Sequence, residues 1–266
     1  GFFPDLPGGA TVIISQFYGA KNLKQLSKGL HTAYAFSITV SILISVIGWF
    51  STPALLHLLK TPADVIPDSI LYLRIYFLGM IFTLTYNMGS SIMRAIGDSR
   101  RPLIYLVICC VINIILDILF VIVFHMGIAG AAIATVISQG VSAILVTRSL
   151  MKSYGILKLE LRAIRFHGAL LKSELKIGLP GGIQSFGYSI SNIIIQAVIN
   201  NFGTDTAAAW AAYGKLDAIF WTVCGSFGIA ITTFSGQNFG ARKFDRVKKS
   251  VRVCLAMALT VCGSLI

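Results

Sequence analysis

Apolar residues in this chain neither alternate with polar ones nor recur as a single helical stripe. They run together in long blocks, separated by short polar segments. A helix that crosses a bilayer needs about 20 mostly apolar residues, and blocks of that kind lie at 31–50, 69–92, 103–124, 127–149, 176–200 and 207–235. The pattern therefore predicts an all-α, polytopic membrane helix bundle with six crossings. Residues 8–18 are apolar but short, and 250–266 begins another apolar block. The stretch Gly1–Gly9, with Pro4 and Pro7, lacks the basic start of a signal peptide. Both ends are expected to be interruptions of a longer protein.

Composition agrees with this reading. Of 266 residues, 56% are hydrophobic and only 12% charged, with a mean hydropathy of +0.81. A soluble domain carries about 25% charged residues, so this chain cannot clothe a water-facing surface. The net charge of +12 would point to nucleic acid in a soluble protein. Here its placement says otherwise. Alternate loops hold three (Lys21 to Lys28), three (Arg94 to Arg101), seven (Arg148 to Lys176) and six (Arg242 to Arg252) basic residues, 19 of the 22 in all. The opposite loops hold Lys60, while Arg74 and Lys215 lie in or near span ends. The positive-inside rule then places the basic loops in the cytoplasm, and no nucleic-acid partner is expected.

The five cysteines lie in apolar stretches without metal-ligand spacing and read as buried small hydrophobes. The four histidines (His31, His57, His125, His167) are scattered at span ends, which argues against a membrane-embedded enzyme. No cofactor is expected. The basic segment 150–175 reads as an interfacial connector between two halves of the protein, and the segment 51–68, with Pro53, Pro62 and Pro67, as a rigid outer loop.

The chain also repeats itself. Residues 16–28, QFYGAKNLKQLSK, align with 237–249, QNFGARKFDRVKK, at an offset of 221, with Gln16/Gln237, Gly19/Gly240, Ala20/Ala241 and Lys28/Lys249 identical. Each copy closes an apolar block and opens a basic loop. The offset implies a parent of about 440 residues built from two parallel six-helix halves, a plan common among secondary transporters.

The strings GATVIISQFYGAKN (9–22), RAIGDSRRPL (94–103), NIILDILF (113–120), GIAGAAIATVISQ (127–139), IGLPGGIQS (177–185) and TTFSGQNFGARK (232–243) resemble the multidrug and toxic compound extrusion (MATE) family of cation-coupled efflux transporters. The resemblance implies a two-lobe fold of twelve helices, of which this chain would cover about helices 2 to 9. It would comprise an N-terminal lobe without its first helix (1–150), a connector (151–175) and the start of the C-terminal lobe (176–266).

Polar residues inside apolar blocks are the candidate chemistry, because a charge at the bilayer centre costs a few kcal/mol. Asp117 lies 14 residues beyond the start of its block, and Asn113 is one helical turn earlier. Apolar surroundings favour a protonated carboxyl, and oxygen neighbours favour a metal ion, so the pair suits a proton or a sodium ion. A plain helix-packing hydrogen bond is the alternative. The family resemblance adds Thr135 and implies that Asn113, Asp117 and Thr135 form the cation site, together with a first-helix aspartate not in this chain. Ser185, Ser189, Asn192 and Gln196 form a polar stripe at helical spacing, flanked by Gln184 and Tyr188. This face either lines a cavity or packs by hydrogen bonds. Asp217 is a further cavity candidate, and Lys215 and Arg74 read as snorkelling end residues. Phe82, Met80 and Met88 offer an adaptable apolar wall or ordinary packing. Pro180 is expected to kink or start its helix.

These readings converge on a cation-coupled antiporter of the cytoplasmic membrane, monomeric, exporting small amphipathic or cationic organic molecules by alternating access. A lipid-linked oligosaccharide flippase shares the lobe plan but would need several basic residues inside its cavity.

Overall fold

The computed structural model describes residues 7–58, 65–152, 158–200 and 202–264, and among these it contains helices and no strand. Eight α-helices follow in order: α1 (Pro7–Gly19), α2 (Leu23–Leu58), α3 (Ile66–Ala95), α4 (Arg100–Asp117), α5 (Gly127–Lys152), α6 (Gly168–Asn200), α7 (Thr204–Gly240) and α8 (Phe244–Gly263). A π-helical stretch, Ile118–Val123, continues α4, and a single 3₁₀ turn, Leu161–Ala163, lies in the connector.

Five helical segments are long and apolar enough to cross a membrane: Leu23–His57, Ile66–Ala95, Arg100–Val123, Gly127–Lys152 and Ala208–Gly240. The sixth expected crossing, 176–200, lies within the 33-residue helix α6. Its serine, asparagine and glutamine stripe interrupts the apolar residues. The chain is a multi-pass membrane protein by this composition. Its exterior bears this out physically: Leu103, Val107, Ile115 and Ile122 are exposed, and α4 buries only Pro102, as suits a surface solvated by lipid tails.

Two prolines sit well inside helices, and Pro67 of the expected outer loop lies at the start of α3. Pro53 lies within α2 and Pro180 within α6, so Pro53 belongs to a helix rather than to the expected outer loop, and Pro180 does not start its helix. Tight local bonding accompanies the first, with the Thr52 hydroxyl donating to the Gly48 carbonyl at 2.5 Å. Lys60 and Pro62 lie outside the described residues.

The chain groups into two packing units, Ser27–Leu171 and Gly1–Leu26 with Lys172–Ile266. In the first, α5 packs against α3 and α4. Leu84, Met88 and Ile92 of α3 and Ala134, Ala143 and Val146 of α5 are buried. Small residues set the spacing: a Cβ at Gly79 would come within 2.6 Å of Val136 Cγ2, and one at Gly48 within 2.3 Å of the Phe77 ring. Arg74 is not simply snorkelling, since its guanidinium lies 5.1 Å from the centre of the Trp49 ring.

In the second unit α1 packs against α7 and α8 against α7, and here the internal repeat becomes structural. α1 ends at Gly19 and α7 at Gly240, while α2 begins at Leu23 and α8 at Phe244, each pair 221 apart. Lys21 and Arg242 both adopt the left-handed conformation, with φ of 54° and 58°. The bond from Ala20 N–H to the Gln16 carbonyl is matched by one from Ala241 N–H to Gln237, and that from Asn22 N–H to Phe17 by one from Lys243 N–H to Asn238. The two copies also meet each other reciprocally. A Cβ at Gly19 would strike the Gln237 carbonyl at 1.8 Å, and one at Gly240 the Gln16 carbonyl at 2.0 Å. Glycine is required at both positions because backbone meets backbone.

Candidate functional site

The candidate cation site lies in the first unit, where α4 gives way to its π-helical continuation. Asp117 is the last residue of α4, and the wider turn starts at Ile118. There the Phe124 N–H donates to the Leu119 carbonyl five residues back, at 2.9 Å. Single π turns inserted in α-helices recur at functional sites, because the extra residue per turn re-aims side chains and loosens the hydrogen-bond ladder. The stretch packs on both α4 and α5.

Asn113 and Asp117, four apart in α4, share one helix face. Asn113 Nδ2 and Asp117 Oδ1 are both buried and without a hydrogen-bond partner among the described residues. A buried polar atom left unpaired costs about 1–3 kcal/mol, and two of them one turn apart form a donor and an acceptor awaiting a third party. Thr135, on the neighbouring α5, spends its hydroxyl proton on the Ala131 carbonyl at 3.0 Å. Its oxygen lone pairs stay available as acceptors. A carboxylate and an amide on α4 and a hydroxyl oxygen on the adjoining α5 are oxygen-rich groups of the kind suited to a proton or a hard cation.

Sequence reasoning missed a second polar pair in the same unit. The Thr83 hydroxyl of α3 donates to Gln139 Oε1 of α5, tying together the two helices that form the core. Gln139 stands in one of the strings that carry the family resemblance, and its depth in an apolar block was the available signal.

The polar stripe of α6 differs. Ser185 and Ser189 are half-buried, whereas Gln184, Tyr188, Asn192 and Gln196 are exposed. The Ser189 hydroxyl donates to the Ser185 carbonyl at 2.9 Å. Tyr188 meets Trp221 of α7 edge to face, with ring centres 6.1 Å apart, and Asp217, one turn before Trp221 on the same helix, is half-buried. Met80 and Met88 are core residues of the first unit. Phe82 instead lines an apolar groove of about 590 Å³ with Ile38, Ile81 and Ile144, bordered by Arg148 and Lys152. The cysteines are not core residues: Cys110 is exposed and the other four are half-buried, because the apolar exterior accepts small hydrophobes as readily as the core does.

Such a bundle of long apolar helices defines a class, the polytopic membrane proteins. The MatE family model matches residues 6–119 and 180–266, and the chain belongs to that family. It is 32% identical over 252 residues to the probable multidrug resistance protein YpnP of Bacillus subtilis, covering 92% of this chain and 55% of that protein. To the probable multidrug resistance protein YoeA of the same organism it is 32% identical over 265 residues, covering 97% and 57%. A crystal structure of a MATE protein in a bent conformation superposes with a TM-score of 0.90 at 20% identity, over 98% of this chain and 58% of that one, which is a likeness of fold. The chain thus spans a little over half the length of the curated relatives it matches.

Proposed function

We propose that a full-length parent carrying this segment is an antiporter of the cytoplasmic membrane that exports drugs and other organic molecules against an inward flow of protons or sodium ions. The observation that carries this reading is the pair of unpartnered buried atoms, Asn113 Nδ2 and Asp117 Oδ1, at the α4 to π transition. Membership of the MatE family and the names of the two Bacillus relatives support it.

In this mechanism Asp117, with Asn113 and Thr135, takes up the cation from outside and stabilises the state that releases the drug. Discharge of the cation inwards resets the cycle. Moving one charge through ~100 mV supplies ~2.3 kcal/mol, enough for roughly a fiftyfold gradient of substrate. The lobes divide as 1–150 and 176–266, joined by 151–175, and the basic loops face the cytoplasm. The protein acts as a monomer, without nucleic acid. The α6 stripe (Gln184, Ser185, Tyr188, Ser189, Asn192, Gln196) and Asp217 line the path of small amphipathic or cationic substrates. The test is export by the full-length protein carrying Asp117→Asn. Ion-driven export should disappear at normal expression, and undiminished export would overturn the assignment.

A further inference from the structure

The described part of the connector between α5 and α6, residues 158–167, is docked on α2. Leu159 is 0% exposed, and its N–H donates to the Leu150 carbonyl at 3.1 Å. Next to it the Glu160 N–H donates to His31 Nε2 of α2 at 3.1 Å. That nitrogen accepts a bond and so carries no proton. The ring proton sits on Nδ1, which donates to the Ser27 carbonyl at 2.7 Å. His31, 4% exposed, is thereby a pin between connector and helix.

His167 forms a second pin. The Thr32 hydroxyl donates to the Lys28 carbonyl at 2.8 Å, so its oxygen can only accept from His167, through the backbone N–H at 3.3 Å and the ring Nδ1–H at 3.1 Å. The other ring nitrogen, Nε2, is buried and has no partner among the described residues.

These two pins frame a cavity of about 360 Å³. Lys28, Lys158 and Arg165 line it with both histidines, against one carboxylate, the exposed Glu160. None of the three cations is ion-paired among the described residues. Lys28 is half-buried while Lys158 and Arg165 are exposed, so three like charges share one cavity beside a buried ring nitrogen, and an anion would relieve their mutual repulsion. Lysine and arginine together match a tetrahedral oxyanion, and the guanidinium can grip two of its oxygens at once.

We propose that this pocket, formed by Lys28, Lys158, Arg165 and His167, binds a phosphoryl group, contributed either by free phosphate or by the headgroup of an anionic phospholipid. This site is independent of Asp117 and of the export reading. His167 makes it pH-sensitive. Desolvation, and then the positive charges of Arg165 and Lys28, hold its imidazole below the usual histidine range, with the Arg165 carbonyl acting the other way and His31 adding a small further depression. A bound dianion reverses the sign of that field and favours protonation of Nε2, which then donates to the ligand. Lys28, His31, Lys158, Glu160 and Arg165 are the titratable or charged groups facing it.

The test is sulfate and inorganic phosphate binding by calorimetry, at constant ionic strength, to the full-length protein in detergent and in nanodiscs. Sulfate is used because it stays a dianion throughout the range. Saturable binding is expected, weakened about tenfold or more by Lys28→Gln with Arg165→Gln and unchanged by Lys243→Gln. Affinity for sulfate should rise from about pH 7.5 to about pH 5.5. His167→Asn, which preserves the bond to Thr32, should abolish that rise, so a variant that folds poorly does not decide the matter alone. Competition by phosphatidylglycerol nanodiscs, and not by phosphatidylcholine ones, assigns the site to lipid headgroups, and undiminished sulfate binding in both assigns it to free phosphate. No saturable binding of either anion, or equal weakening by Lys243→Gln, overturns the proposal.

Discussion

Two polar stretches in this chain look alike on paper and differ in space. Asn113 and Asp117 recur at helical spacing in α4, and Ser185, Ser189, Asn192 and Gln196 do so in α6. In α4 both residues are half-buried, and Asn113 Nδ2 and Asp117 Oδ1 are fully buried without a partner among the described residues. In α6 the stripe is half-buried at one end and exposed at the other. Helical spacing states only that residues share a face. A face becomes a candidate ion site when burial removes water and no protein group replaces it.

This contrast can be attacked in order of expected effect. Largest is Asp117→Asn, which should reduce ion-driven export by the full-length protein to the background of cells lacking it. Asn113→Ala should act on the same step more mildly, weakening the apparent affinity for the coupling ion by about tenfold with maximal export retained at high ion concentration. An export rate indifferent to either substitution would place α4 with α6.

Glu174 sharpens the comparison within α6 itself. It precedes the expected span 176–200, is 5% exposed, and has both carboxylate oxygens buried without a partner among the described residues. Burial pushes its carboxyl up to about 8 from 4.5. Between those values the unfolded chain has released a proton that the folded chain keeps, so stability is full below about pH 4.5 and falls as pH rises towards about 8. Glu174→Gln should therefore raise the melting temperature at pH 8 by about 2–4 °C or more, and the gain should vanish near pH 4.5. The smallest effect is expected from Ser189→Ala with Asn192→Ala, which should shift stability by less than about 0.5 kcal/mol and leave the ion dependence of export intact while altering substrate preference. Loss of ion coupling in that variant would show that the two stretches form one site.

Much of this was legible in the residues. The lengths of the apolar blocks anticipated α2, α3, α4, α5 and α7, because a helix in lipid must satisfy its own backbone and so follows hydropathy closely. Asp117 stood out for the same reason. The block 176–200 likewise anticipated the membrane-length part of α6, with its polar stripe interrupting the isoleucines. Pro53 misled for a local reason: a helix loses one hydrogen bond at proline but can continue when its neighbours hold it. The connector was read as interfacial, and nothing in its spacing announced that Leu159 is buried or that His31 and His167 pin it to α2.

The sequence by itself determined the helical class, the order of the membrane segments and the repeat at 221 residues. These depend on composition and on contacts within a few residues, which the linear order records. Only the tertiary structure decided that Gly19 and Gly240 face the backbone of each other's repeat, that Asn113 and Asp117 are left unpaired, and that three cations converge with His167 on one cavity. Each of these joins or isolates residues across helices, and burial and hydrogen-bond satisfaction exist only once the helices have packed.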